Sequence, residues 1–157
     1  MGTSGIEAEK DQYCGSTVSF DAASGYIHVE HQVTLSASDT IMSKNAFERA
    51  ARDAGVTIQE YHTDNGVYQS KAFAEEISKN MQTIRFSVVG AKWQNGLAEN
   101  AIKIVTNRAR TMMIHAAIHW PEVDDKSMWP FAVSYAVHLY NQTPNRLTNI
   151  SPAEIFQ

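Results

Sequence analysis

Hydrophobic and polar residues alternate along the first part of the chain and then change period. Residues 1–16 are rich in Gly, Ser and Glu and read as a loose lead-in. Thr17–Phe20 is the first apolar-polar alternation. A turn at Ala23-Ser24-Gly25 separates it from Tyr26–Val33, where Tyr26, His28 and Glu30 alternate with Ile27, Val29 and His31. A period of two is the strand signature, and the two runs read as an antiparallel hairpin. Ser38 or Asp39 can then cap a helix to about Ala54 with Ile41, Met42, Ala46, Phe47 and Ala50 as its apolar face, closed by Gly55.

Val56–His62 is a second strand signal, followed by Asp64 and the turn pair Asn65-Gly66. Ser70 caps a predicted helix Lys71–Asn80, and Thr83–Val88 reads as a strand. After a loop from Gly90 to Gln94, a long helix runs from Asn95 to about Ala117, with Leu97, Ala101, Ile104, Val105, Met112 and Ile114 as apolar positions. Pro121 closes it. An aromatic-rich helix covers Trp129–Asn141, and Ser151-Pro152-Ala153-Glu154 opens a short one. A hairpin followed by alternating strands and helices predicts an α/β fold, a mixed sheet with helices packed on it.

With 157 residues, 43% of them hydrophobic, the chain has the size and apolar content of one domain. Cys14 is the only cysteine, which excludes an internal disulfide and a cysteine-rich zinc site. The polar, acidic N-terminus lacks a signal-peptide pattern, and no apolar run is long enough for a membrane span. The net charge of −4 argues against a bulk basic surface for nucleic acid. A site that holds divalent metals must itself carry carboxylates, so the sign does not exclude DNA as a partner.

The candidate chemistry is an acidic pair. Asp64 follows the end of a strand, where ligands of open α/β sheets bind. Glu99 lies in the first turns of the long helix. Converging carboxylates suit hard cations such as Mg²⁺, and two such ions can activate an attacking oxygen and stabilise a leaving one in phosphoryl transfer. Taken singly, Asp64 is a turn residue and Glu99 a first-turn glutamate favoured by the helix dipole. The six histidines include pairs at 28 and 31 and at 115 and 119, the latter sharing a helix face. Neither pair has zinc-type spacing to further ligands, so packing or surface roles are expected for them.

Ala23-Ser24-Gly25-Tyr26-Ile27, His62-Thr63-Asp64-Asn65-Gly66 and Gln94-Asn95-Gly96-Leu97-Ala98-Glu99 together resemble the integrase catalytic core of retroviruses and copia-type retrotransposons. Ser151-Pro152-Ala153-Glu154-Ile155-Phe156 resembles the element that follows this core in copia-type polyproteins. The resemblance covers about residues 17–157. It implies a core-like domain over 17–145 and the start of a C-terminal extension over 146–157. It implies a ribonuclease-H-like fold, a D,D,E site holding Mg²⁺ or Mn²⁺, and 3′-processing and strand transfer of element DNA into host DNA. Asp64 would be the second acid and Glu99 the third, with Asn65, Gln94 and Asn95 around them. Lys92, Asn95, Lys103, Arg108 and Arg110 would be candidates for DNA contact. A homodimer is implied by analogy, with Trp120, Trp129 and Tyr140 as possible contributors. The setting would be intracellular, and nuclear for action on host DNA.

Three departures from the family pattern matter. The family's first acid lies on a strand before the hairpin. Asp21 sits too late for that role, and Asp11, the only aspartate upstream, has no apolar strand around it. The first strand is therefore expected to be absent from this chain. Asn100 stands where copia-type sequences usually have Arg, and the Asp64–Glu99 spacing is close to the family's without copying it. Three readings follow: a metal-dependent DNA strand transferase, a degenerate integrase-like domain retaining only nucleic-acid binding or self-association, and another ribonuclease-H-like nuclease or transposase.

Overall fold

The computed structural model describes residues 13–63, 66–87, 96–123 and 125–157. Strands β1 (Gly15–Phe20) and β2 (Ile27–Gln32) form the expected antiparallel hairpin, with Phe20 opposite Ile27 and Gly15 opposite Gln32. The turn is built by Asp21. Its carboxylate accepts from the Ser24 N–H at 2.7 Å and the Ser24 hydroxyl at 2.6 Å, and Gly25 takes the left-handed backbone with φ 76°.

The Asp21 N–H donates to the Tyr26 carbonyl at 2.8 Å, so these two residues are a hydrogen-bonded pair. In an antiparallel ladder the next pair, Phe20 and Ile27, must then turn its backbone groups outward. Ile27 is fully buried, and Asn141 satisfies both of its groups: Asn141 Oδ1 accepts from the Ile27 N–H at 2.9 Å, and Nδ2 donates to the Ile27 carbonyl at 2.7 Å. A side-chain amide stands where a neighbouring strand would be.

Helix α1 (Ala37–Asp53) starts at Ser36, whose side chain accepts from the Asp39 N–H. The cap is thus two residues before the earlier of the two expected. Asp39 instead accepts from the Thr34 N–H and hydroxyl, both at 2.8 Å, and these bonds hold its carboxyl below the usual aspartate range. The buried face also differs from expectation. Met42 is 68% exposed, and the face turned inward is Thr40, Ser43, Lys44, Phe47 and Ala51. This set keeps helical spacing and works because its polar members find partners. The Thr40 hydroxyl donates to the Ser36 carbonyl at 2.9 Å. The Ser43 hydroxyl donates to the Asp39 carbonyl at 3.0 Å and accepts from Gln32 at 3.1 Å.

Strand β3 (Glu60–Thr63) and strand β4 (Thr83–Phe86) pair in parallel, joined by the crossover helix α2 (Lys71–Lys79) that Ser70 caps as expected. β3 begins later than the apolar run from Val56 suggests. Its partner β4 starts only at Thr83, whose N–H donates to the Gln59 carbonyl at 2.9 Å. Val56 and Ile58 instead pack with Phe47, Ala51 and Phe156. Among the described residues, the strands form two two-stranded sheets, antiparallel β1-β2 and parallel β3-β4, flanked by helices. A two-stranded sheet is marginal alone, so the helices must supply most of the stabilising burial.

Helix α3 (Gly96–His119) buries Ala101, Val105 and Ala109 against β1, β2 and helix α4 (Trp129–Gln142). Leu97 and Ile114, expected on the apolar face, are exposed. Ala101, Val105 and Ala109 recur every four residues on one face, and Ile27, Ala136 and Val137 complete this core. The short helix α5 (Pro152–Ile155) opens with a full capping box between Ser151 and Glu154. It returns Phe156 to stack on Tyr26, with ring centroids 4.2 Å apart and planes 7° apart.

A polar cluster ties α1 to the parallel pair. Lys44 Nζ lies 2.8 Å from Glu48 Oε1 and 5.6 Å from the centre of the Tyr61 ring. Glu48 Oε1 also accepts from the Tyr61 hydroxyl at 2.7 Å and from Gln82 Nε2 at 2.6 Å. Gln82 Nε2 also reaches the Ile58 carbonyl at 3.0 Å. Burial alone would raise the Glu48 carboxyl. The contacts from Lys44, Gln82 and Tyr61 outweigh it and hold the group below its ordinary value. Burial, and then the Glu48 bond, push the Tyr61 phenol well above its own.

Two outcomes follow from these contacts. Asn141→Ala leaves the buried Ile27 N–H and carbonyl without partners and should cost on the order of 3 kcal/mol of unfolding free energy in urea titration. An unchanged midpoint would show that the clamp is dispensable. For Glu48 the folded-state value is depressed, so its contribution is present above about pH 4.5 and is lost as pH falls through the lower folded value. Glu48→Gln should therefore be less stable than wild type at pH 6, with the gap closing as both are titrated towards pH 3. A gap that holds constant with pH would refute the assignment.

Candidate functional site

The parallel pair and the start of α3 carry the candidate chemistry. Thr63 ends β3, and its carbonyl accepts from the Ser87 N–H at 2.9 Å, which extends the ladder one bond past β4. Its hydroxyl is buried and has no hydrogen-bond partner among the described residues. The strand's outward side chains are polar: His62 Nε2 meets the Ser87 hydroxyl at 3.1 Å, and Glu60 pairs with Arg85 at 3.1 Å. Asp64 is the next residue, and with Asn65 it lies outside the described residues, as do Asp11, Lys92, Gln94 and Asn95.

Glu99 stands in the first turn of α3, exposed and without an ion pair among the described residues. At about 100° per residue, Lys103, Thr106 and Arg110 fall within about 40° of Glu99 around the helix axis, whereas Arg108 falls on the opposite side. Burial follows the same division. Glu99, Lys103, Thr106 and Arg110 are exposed, while Arg108 is half-buried with its guanidinium 5.5 Å from the centre of the Tyr140 ring. Three candidates of one helix thus separate into a polar stripe headed by Glu99 and an arginine engaged with α4. Thr106, which shares that stripe, is a residue that sequence reasoning passed over; counting i+7 from Glu99 would have found it.

The histidine pair near the hairpin serves packing. His31 bridges the Ser16 hydroxyl and the Ser134 hydroxyl, each at 2.8 Å, and meets the Trp129 ring edge-on with centroids 5.4 Å apart. Burial lowers its affinity for a proton. His28 pairs with Glu30 at 3.0 Å. Trp129 and Tyr140 are likewise engaged inside the fold, while Trp120 is exposed.

For a divalent cation the donor set has the right chemistry. Carboxylate oxygens are hard ligands of the kind Mg²⁺ and Mn²⁺ take, and those of Glu99, at the start of α3, make no ion pair among the described residues. Among the described residues no group of three or more His, Cys, Asp or Glu converges.

No family model and no curated protein matches the chain. Solved structures do. The HTLV-2 integrase catalytic core domain in complex with magnesium, in its dimeric form, superposes with a TM-score of 0.66 at 21% identity, over 92% of this chain and 85% of that one. The catalytic core domain of BIV integrase gives 0.65 at 16% identity, over 88% and 82%. A chain of the simian T-cell lymphotropic virus intasome, in complex with PP2A regulatory subunit B56 gamma, gives 0.69 at 19% identity over 89% of this chain. This chain spans about half of that one, 47%. The small sheets flanked by helices thus have the fold of retroviral integrase catalytic cores.

Proposed function

We propose that this chain is the catalytic core of a copia-type retroelement integrase, which processes the 3′ ends of element DNA and transfers them into host DNA in the nucleus. The observation that carries the reading is the position of Glu99. It heads the exposed stripe of α3 in a fold shared with integrase cores, and its sequence partner Asp64 follows directly on β3. In this reading Asp64 and Glu99 hold Mg²⁺ or Mn²⁺, which supplies charge neutralisation and an activated oxygen at the scissile phosphate. The first turn of a long helix is a favourable place for the Glu99 carboxylate. Lys103 and Arg110, one to three turns further along the stripe, would bind the DNA backbone and set its register against the acids.

A third acid completes the site, carried by a strand beside β1. Support comes from the sheets: among the described residues β1 pairs only with β2, and β3 only with β4, so each keeps one free edge. Asp11 is the only aspartate upstream of β1 in this chain, and its sequence lacks the apolar surroundings of such a strand. That lack of an evident first acid, with the net charge of −4, favours a second reading, an integrase-like domain that has lost activity and keeps only DNA binding or self-association.

Strand transfer in Mn²⁺ with short element-end duplexes separates the two. Asp64→Asn and Glu99→Gln should each lower the rate by at least about 100-fold, a loss of some 2.7 kcal/mol in transition-state stabilisation, without lowering the unfolding midpoint. A Glu99→Gln variant as active as wild type would sink the strand-transferase reading. A folded wild type with no metal-dependent activity would establish the inactive one.

DNA binding tests the division of α3. Lys103→Ala and Arg110→Ala should each weaken binding across all sequences and reduce the slope of log K against log salt by about 0.9. Arg108→Ala should leave that slope unchanged and lower stability by about 1 kcal/mol, through loss of the Tyr140 contact. A salt slope altered by Arg108→Ala alone would reverse the assignment.

A further inference from the structure

The far end of α3 carries a second cluster of ligating side chains. His115 and His119 are both exposed, and their rings stack with centroids 4.0 Å apart and planes 21° apart. His119 Nδ1 lies 2.9 Å from the His115 carbonyl oxygen. A carbonyl can only accept, so Nδ1 carries the hydrogen and the lone pair of neutral His119 is on Nε2. A histidine whose Nδ1–H is tied to a backbone carbonyl and whose Nε2 is free is the usual form of a metal ligand. Trp120 stands beside both rings, with centroids 5.8 Å from His119 and 6.0 Å from His115.

We infer that His115 and His119 form a two-imidazole site for a late first-row divalent cation of the Cu²⁺, Ni²⁺ and Zn²⁺ class. Metal–nitrogen bonds of about 2.1 Å at tetrahedral angles place the two nitrogens about 3.4 Å apart. In the stack the ring-nitrogen lone pairs lie in near-parallel planes, so chelation requires the two exposed rings to turn out of the stack about their side-chain bonds until the lone pairs converge on one cation. Imidazole nitrogen selects these cations over Mg²⁺, whereas the carboxylates of Asp64 and Glu99 have the opposite preference. Sixteen helical residues, about 24 Å, separate His115 from Glu99, so the two sites do not share a ligand. Solvent completes the coordination, because among the described residues no third ligating side chain joins the pair. The site is independent of the integrase reading and would stand if that reading failed.

Trp120 makes the site visible, since bound Cu²⁺ quenches a neighbouring indole. Titration of the full chain with Cu²⁺, followed by tryptophan fluorescence and by calorimetry, should show one saturable equivalent that millimolar Mg²⁺ does not displace. The double variant His115→Asn/His119→Asn should bind at least about tenfold more weakly with an unchanged thermal midpoint. Trp120→Phe should keep the calorimetric binding and lose most of the quench. The inference is overturned if the double variant binds as wild type does, if Trp120→Phe retains the full quench, or if wild type takes up no saturable equivalent.

Discussion

The pairing of Asn141 with Ile27 is the contact on which the arrangement of helices and hairpin depends. Ile27 is fully buried, and its N–H and carbonyl face away from β1 by the parity of the hairpin. Two buried backbone groups without partners would cost more than most single packing contacts can return. The Asn141 amide answers both at once, across 114 residues of chain. It thereby fixes the register of α4 against β2. Val137 and Ala136, on the same helix, then pack into the core that Ala101, Val105 and Ala109 of α3 complete. The packing of α3, which carries Glu99, is thus tied to the helix that Asn141 anchors.

The second constraint is polar burial on α1. A helix that turns Thr40, Ser43 and Lys44 inward would be expensive if these groups met only apolar neighbours. Each finds a partner: a backbone carbonyl for Thr40 and Ser43, and Glu48 for Lys44. Glu48 in turn gathers Tyr61 from β3 and Gln82 from the residue before β4. The parallel pair is thus held to α1 by directed bonds as well as by the Phe47–Phe156 cluster. Directed bonds fix register, which a small two-stranded sheet cannot do for itself.

Much of this architecture was legible in the sequence, and the parts that were not share a cause. The hairpin, the Ser70 cap and the Ser151 capping box are local: their signals and their structural consequences lie within a few residues of each other. The inward face of α1 was misread because the apolar count favours Met42 over Lys44, and only the tertiary partner Glu48–Tyr61–Gln82 makes the lysine the better choice. The start of β3 is not legible from the apolar run because a strand needs a neighbour, and the register with β4 begins only at Gln59 and Glu60. The Asn141 clamp joins positions 114 residues apart, and no local pattern announces it. At the candidate site, Glu99 falls where its motif implied, at the head of the long helix.

The division of α3 is what links fold to function. One side of the helix is committed to the core by Ala101, Val105 and Ala109, and Arg108 shares in that commitment by lying over Tyr140. This leaves the opposite side free of structural duty. Glu99, Lys103, Thr106 and Arg110 can therefore be selected for what they bind rather than for what they pack against. A rigid helix is a good support for such a row, since its side chains hold their spacing without the entropy cost that a loop would bring to the bound state. The helix can carry a carboxylate at one end and two cations, Lys103 and Arg110, behind it because its other face is committed to the core through Ala101, Val105 and Ala109.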